Sequence, residues 1–90
     1  MKGFVKDPEA TLDYAIDWTL WLDGDEINTS SWTAESGLTI VPGSPDFTTT
    51  QASVYVSGGV KDSDYTLKNT ITTSGGRTDE RTLLIKIRDR

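Results

Sequence analysis

Hydrophobic and polar residues alternate along four stretches of the chain, which is the pattern of β-strands that bury one face. The longest stretch covers residues 12–22, and the others cover residues 52–56, 65–73 and 83–87. The predicted inward residues are Leu12, Tyr14, Ile16, Trp18, Leu20 and Leu22 in the first stretch, Ala52, Val54 and Val56 in the second, Tyr65, Leu67, Asn69, Ile71 and Thr73 in the third, and Leu83, Ile85 and Ile87 in the last.

Clusters of glycine, proline, serine and aspartate interrupt the chain at short intervals, as turns do. Shorter strands are expected at residues 27–33 and 38–41, and residues 3–6 can add an edge strand. The fourteen threonines and eight serines favour strands and turns over helices. Six or seven short strands therefore predict one all-β domain over residues 1–90, an immunoglobulin-like antiparallel β-sandwich of about seven short strands.

The beginning of the longest stretch also fits a helix. Asp7-Pro8-Glu9 resembles a helix N-cap followed by proline at the first helical position. Such a helix would be apolar nearly all round, whereas alternating apolar and aromatic positions are typical of a strand. We therefore predict a strand and keep the helix as the alternative.

The composition excludes several classes of function. The chain has no cysteine and no histidine, so it has no disulfide, no thiolate or imidazole ligand for zinc and no Ser-His-Asp triad. An enzyme would be left with carboxylate chemistry such as glycoside hydrolysis, which needs two acids facing each other across a cleft. A small sandwich offers little cleft. We expect no enzyme, no cofactor, no metal site and no small-molecule substrate.

The net charge of −5 argues against nucleic acid as a partner, because neutralising phosphates needs an excess of lysine and arginine. The charge is also uneven. Residues 1–50 carry nine acids and two bases, a net charge of −7, whereas residues 51–90 carry five acids and seven bases, a net charge of +2. Such a chain can dock by charge on a complementary partner or on its own copies. The alternative is a well-mixed, solvated surface after folding.

The sequence shows neither a secretory signal nor a transmembrane segment. The first residues contain lysine but lack the apolar core of a signal peptide, and no stretch approaches about 20 apolar residues. We expect synthesis in a cytoplasm, a chain that stays soluble and no contact with a membrane.

Three aromatic residues that are not assigned to the predicted core are the candidates for contact with a partner: Trp21, Tyr55 and Trp32. Trp21 and Tyr55 fall on the polar faces of their predicted strands, where Trp21 is either tucked under a loop or exposed. Trp32 is out of register with Ile27, which predicts a bulge in that strand. The sequence therefore does not decide which face of the sheet Trp32 lies on. The alternative role for these aromatics is a stacking platform for sugar rings.

Two further features are predicted to be structural. Tyr65 opens a strand after a polar loop, the placement of a tyrosine corner whose hydroxyl bonds back to the loop backbone. The acidic segment Asp23-Gly24-Asp25-Glu26 lacks the residue order of a calcium loop. A hairpin turn is therefore favoured for it over a calcium site.

A series of short motifs follows one order along almost the whole chain, from residue 6 to residue 88. The first half contains Asp7-Pro8-Glu9-Ala10, Leu12-Asp13-Tyr14, Asp17-Trp18, Trp21-Leu22, Gly24-Asp25-Glu26-Ile27, Ser31-Trp32-Thr33 and Gly37-Leu38-Thr39. The second half contains Val56-Ser57-Gly58-Gly59, Tyr65, Asn69-Thr70-Ile71-Thr72-Thr73, Gly75-Gly76-Arg77-Thr78-Asp79-Glu80-Arg81 and Ile85-Lys86-Ile87-Arg88. In this order the motifs resemble a family of small tailed-bacteriophage proteins, the phage fiber-tail adaptor proteins.

The resemblance implies a structural protein of the virion with an immunoglobulin-like sandwich, and it brings no catalytic residues. We therefore expect an adaptor or connector at the tail or head–tail region, which binds other virion proteins in multiple copies. A capsid decoration protein and a small carbohydrate-binding sandwich are the alternatives.

Overall fold

The computed structural model describes residues 2–89, which form eight β-strands and one helical turn. The strands are β1 (Lys2–Lys6), β2 (Leu12–Asp17), β3 (Ile27–Ala34), β4 (Leu38–Ile40), β5 (Asp46–Phe47), β6 (Gln51–Gly58), β7 (Asp64–Thr73) and β8 (Thr78–Ile87), and α1 (Thr19–Leu22) lies between β2 and β3. Within this part of the chain, no helix is long and apolar enough to cross a membrane.

The strands form two sheets. In sheet A the order is β1-β8-β7-β3, with β1 parallel to β8 and the other neighbours antiparallel. In sheet B, β6 pairs with β2 on one side and with β4 and β5 on the other, all antiparallel. The predicted all-β sandwich is confirmed. Its finer, immunoglobulin-like type and the single-domain boundary stay predictions.

The core lies between the inner faces of the two sheets. Every residue predicted to face inward on β6, β7 and β8 is buried, which confirms the alternation there. On β2, Tyr14 and Ile16 are buried as predicted, whereas Leu12 at the start of the strand is exposed. Trp18 is fully buried and removes about 150–250 Å² of aromatic surface from water.

The predicted strand over residues 12–22 is wrong beyond Asp17. β2 ends there, and the chain makes one helical turn that leaves Leu20 96% exposed instead of buried. The turn begins because the Asp17 carboxylate accepts a hydrogen bond from the first N–H of the helix at 2.9 Å. Trp18 and Leu22 are both buried, since residues four apart share one face of a helix.

The alternative helix at Asp7 does not form. The Asp7 carboxylate accepts the N–H of Glu9 at 2.9 Å, and the Asp7 carbonyl accepts the N–H of Ala10 at 3.1 Å. These bonds close a turn that leads directly into β2. The Asp7-Pro8-Glu9 sequence thus forms a turn, and no helix follows it.

The predicted bulge in β3 is present, whereas the predicted hairpin at Asp23 and Gly24 is absent. The pairing of β3 with β7 shifts between Ile27 and Thr29, which confirms the bulge predicted from the position of Trp32. Asp23 and Gly24 form no hairpin between strands. Instead they end α1 with φ angles of 49° and 92°, in the left-handed region.

Lys6 is a buried cation that the sequence did not reveal. Its side chain is inaccessible to solvent, and its Nζ donates to the carbonyls of Asp7 at 2.8 Å and Gly58 at 2.7 Å. Burial lowers the pKa of this ammonium group from its usual 10.5, and the charge of Asp7 opposes the shift. Lys6 thereby ties the end of β1 in sheet A to the end of β6 in sheet B.

Candidate partner-contact surfaces

Trp21, the first predicted contact residue, lies on α1 and is half-buried at one end of the sandwich. Its ring meets that of Trp18 edge-on, with 5.3 Å between ring centroids. The Arg77 guanidinium lies 4.2 Å from the Trp21 centroid and donates to the carbonyls of Trp21 at 3.3 Å and Leu22 at 2.6 Å. Of its two predicted environments, the structure places Trp21 under the β7–β8 turn.

Asp25 completes this cluster and fixes α1 to the β7–β8 turn. Its carboxylate pairs with Arg77 Nε at 3.2 Å and accepts the N–H of Gly75 at 3.0 Å. The pKa of Asp25 is lowered from 3.8 to about 2, mainly by a hydrogen bond from the Thr73 hydroxyl and next by one from the Glu26 N–H. The ionised form of this carboxylate is therefore the one that joins α1 to the turn. Among residues 2–89, no group of three acidic side chains is close enough to hold a metal ion.

Arg81 covers the second ring of the aromatic pair, that of Trp18. It lies opposite Asn69 on the inner face of β8, and its guanidinium is 4.2 Å from the Trp18 ring centroid. Its Nη1 also donates to the Asp17 carbonyl at 3.4 Å. Arg81 thus closes the sandwich where β8 faces the end of β2.

A groove of about 670 Å³ runs beside Arg81, between the two sheets. It is lined in part by Phe4, Ala15, Ile16, Asp17, Arg81 and Leu83. Next to it, the rings of Phe4 and Tyr14 meet edge-on at 5.2 Å between centroids. The groove marks the side of the sandwich where β1 and β2 are the edge strands.

Tyr55 lies on the outer face of sheet B, in the middle of β6, and is 49% exposed. The loop between β4 and β5 holds its backbone: Tyr55 N–H donates to Ser44 Oγ at 3.1 Å, and its carbonyl accepts the N–H of Val41 at 3.0 Å. Across the pair of strands, Tyr55 lies directly opposite Asp13 of β2. The backbone is fixed while the ring remains accessible.

Trp32 lies on β3, the edge strand of sheet A, opposite the buried Asn69. It is half-buried and packs against the hydrophobic core. Its Nε1 is buried and has no hydrogen-bond acceptor among the described residues. Trp32 therefore lies on the inner face of sheet A, which the sequence did not decide.

The structure does not bring the three predicted contact residues together. Tyr55 lies on the outer face of sheet B, Trp32 on the inner side of sheet A, and Trp21 under Arg77 at one end. A sugar-stacking platform needs adjacent exposed rings, so this arrangement contradicts that alternative. Their role in contacting a partner stays a prediction.

Tyr65 forms the predicted tyrosine corner. Its hydroxyl oxygen accepts a hydrogen bond from the N–H of Val60 in the preceding loop at 3.1 Å. The ring packs so closely on Gly37, whose φ is +109°, that a Cβ at that position would lie 2.5 Å from Tyr65 Cε1. The corner thus joins the start of β7 to the turn before β4.

Charge is divided between the two sheets. The strands of sheet B contain three aspartates, Asp13, Asp17 and Asp46, and neither lysine nor arginine. The strands of sheet A contain five bases and three acids. Each sheet draws strands from both halves of the chain, so this division does not follow from the uneven charge along the sequence. It comes from the strand pairing, which no sequence pattern revealed.

The comparison with protein families supplies a second line of information. A family model described as Podophage GP4 fiber-tail adaptor protein gp77 matches residues 6–86. This confirms the resemblance predicted from the order of the motifs. A search of the curated proteins finds no match.

Proposed function

Since the chain belongs to the podophage GP4 fiber-tail adaptor family, we propose that it is a non-enzymatic connector in a tailed-bacteriophage virion, located at the tail or head–tail region. It binds other virion proteins, the tail fiber among them, in multiple copies and by surface contacts alone. The observation that carries this proposal is the family match over residues 6–86.

The surface offers what a connector needs. An adaptor holds two neighbours at once, so it requires at least two separate contact regions. The outer face of sheet B presents Tyr55. The edge strands β1, β2 and β3 each pair with a neighbour on one side only in the described sheets, and such edges accept a strand from another chain.

The immunoglobulin-like type of the sandwich is part of the proposal. Strands β3-β7-β8 and β2-β6-β4 are neighbours in two sheets, an order that corresponds to strands C-F-G and B-E-D of an immunoglobulin domain. The tyrosine corner at the start of β7 corresponds to the one at the start of strand F. Both features support the assignment.

Size-exclusion chromatography with light scattering tests the adaptor role. The purified protein is mixed with the tail fiber protein, with the neighbouring tail proteins and with both together. We expect the fiber and tail proteins to elute as one complex only when the adaptor is present. An adaptor that stays monomeric with every neighbour contradicts the proposal, and binding to the capsid alone favours the decoration protein instead.

A further inference from the structure

Asp13 and Tyr55 form a pair of unlike side chains on the outer face of sheet B. They are direct partners in the register of β2 and β6, and side chains at such positions have Cβ atoms about 4.5–5.5 Å apart. Both residues are exposed. Asp13 has no ion pair with any residue that the structure describes. A carboxylate and an aromatic ring therefore lie side by side with no cation between them.

The same protein shows what such a pair binds. Near the far end of β2, Trp21 and Asp25 hold the Arg77 guanidinium, 4.2 Å from the ring centroid and 3.2 Å from the carboxylate. A flat guanidinium fits because it stacks on the ring and donates N–H groups to the acid at the same time. Lysine can donate to the acid, but its compact ammonium group has no flat face to stack on the ring.

The surroundings favour a basic partner. The strands of sheet B carry acids and no lysine or arginine, so a positively charged surface meets no like charge on them. The Ser44 and Val41 hydrogen bonds hold the Tyr55 backbone in place. Binding at Tyr55 therefore needs no rearrangement of this strand.

We propose that Asp13 and Tyr55 are a docking site for an arginine side chain of the tail fiber protein. This inference rests on the proposed adaptor function and names the face of the molecule and the chemistry of the contact. The arginine stacks on the Tyr55 ring and donates to the Asp13 carboxylate, as Arg77 does at the far end of the same molecule.

The test is the affinity of purified tail fiber protein for wild type and for two single variants, Asp13→Asn and Tyr55→Leu, at low and moderate salt. Both residues face solvent, so both variants fold, which circular dichroism checks. Each variant is expected to raise Kd about tenfold. Asp13→Asn is also expected to flatten the salt dependence, because it removes one charge from the contact.

Three further variants make the result specific. Tyr55→Phe keeps the aromatic face and is expected to bind within about twofold of wild type. Asp23→Asn also removes one negative charge, but at the end of α1 and away from the proposed site, and it is expected to bind like wild type. The double variant Asp13→Asn/Tyr55→Leu is expected to lose less than the product of the single losses, since both residues contact one arginine.

The outcomes separate this site from the adaptor role. Binding of wild type together with equally tight binding by Asp13→Asn and Tyr55→Leu overturns the docking site and leaves the adaptor function standing. An equal loss with Asp23→Asn overturns it as well, because the effect would then be one of net charge. Wild type that binds no virion protein overturns both proposals.

Discussion

Trp18 and Asn69 meet between the two sheets, where the buried indole Nε1 donates to the Asn69 Oδ1 at 3.0 Å. Asn69 in turn donates to Ser30 Oγ at 2.9 Å and to the Ser31 carbonyl at 3.0 Å. A single buried amide thus joins the segment after β2 to β3 and β7. Its bonds satisfy the one polar atom of the largest core side chain.

Asn69→Leu tests this network. The substitution keeps the volume but leaves Trp18 Nε1 without its acceptor, so we expect a loss of about 1–3 kcal/mol in the free energy of unfolding. Denaturant titration followed by tryptophan fluorescence measures it. Asn28→Leu, at an exposed position of β3, is the matched control and should change stability by no more than about 0.5 kcal/mol. Equal stability of wild type and Asn69→Leu would contradict the network's role.

Gly37→Ala tests the close contact between the tyrosine corner and the turn before β4. At Gly37 the φ of +109° strains any side chain, and a Cβ would also collide with the Tyr65 ring. Gly43 has a φ of +80° with nothing within 4 Å of a Cβ, so Gly43→Ala measures strain alone. We expect a loss of about 1 kcal/mol for Gly43→Ala and about 2–4 kcal/mol for Gly37→Ala. Equal losses would show that the ring contact adds nothing.

Arg77→Lys tests whether the shape of the guanidinium matters in addition to its charge. Lysine keeps the charge opposite Asp25 but loses the stacking on Trp21 and the fork of bonds to two carbonyls. We expect a loss of about 1–2 kcal/mol and a shift of the Trp21 emission. Lys68→Ala removes an exposed pair with Glu80 and should cost at most about 0.5 kcal/mol. A fully stable Arg77→Lys would mean that charge alone suffices.

The pH dependence of stability tests Asp25. Folding lowers the pKa of Asp25 from 3.8 to about 2, so the folded state favours the ionised form. The stabilisation is complete above pH 3.8 and is lost as the pH falls through about 2. We therefore expect Asp25→Asn to be less stable than wild type at pH 7, with the difference shrinking below pH 4. Urea titrations between pH 7 and pH 2 measure it, and a difference that stays constant over this range would contradict the assignment.

Much of the fold was predictable because both sheets face a single core. On β6, β7 and β8 the residues alternate without interruption, so the buried set could be read directly from the chain. At Leu20 the same rule failed, since Trp18 and Leu22 have a spacing that satisfies a strand and a helical turn alike. In the structure the Asp17 carboxylate accepts the first N–H of the helical turn, and the left-handed Asp23 ends it.

The candidate surfaces were predictable only in part. The outward position of Tyr55 followed from the alternation, but its neighbour Asp13 is 42 positions away in the chain and adjacent only through the β2–β6 register. Lys6 gave no signal, because lysine is almost never fully buried. The Arg77–Asp25 pair joins two turns that no local pattern connects.

The parallel pairing of β1 with β8 has a consequence for how the molecule forms. Lys2 to Lys6 pair with Leu83 to Ile87, so β1 leaves the ribosome well before the strand with which it pairs. Sheet A cannot close on a growing chain, and contacts between such distant segments make folding slow. Until residue 87 has emerged, the edge of β8 that receives β1 is incomplete. Folding of this module is therefore completed only after synthesis of the strand that its first residues join.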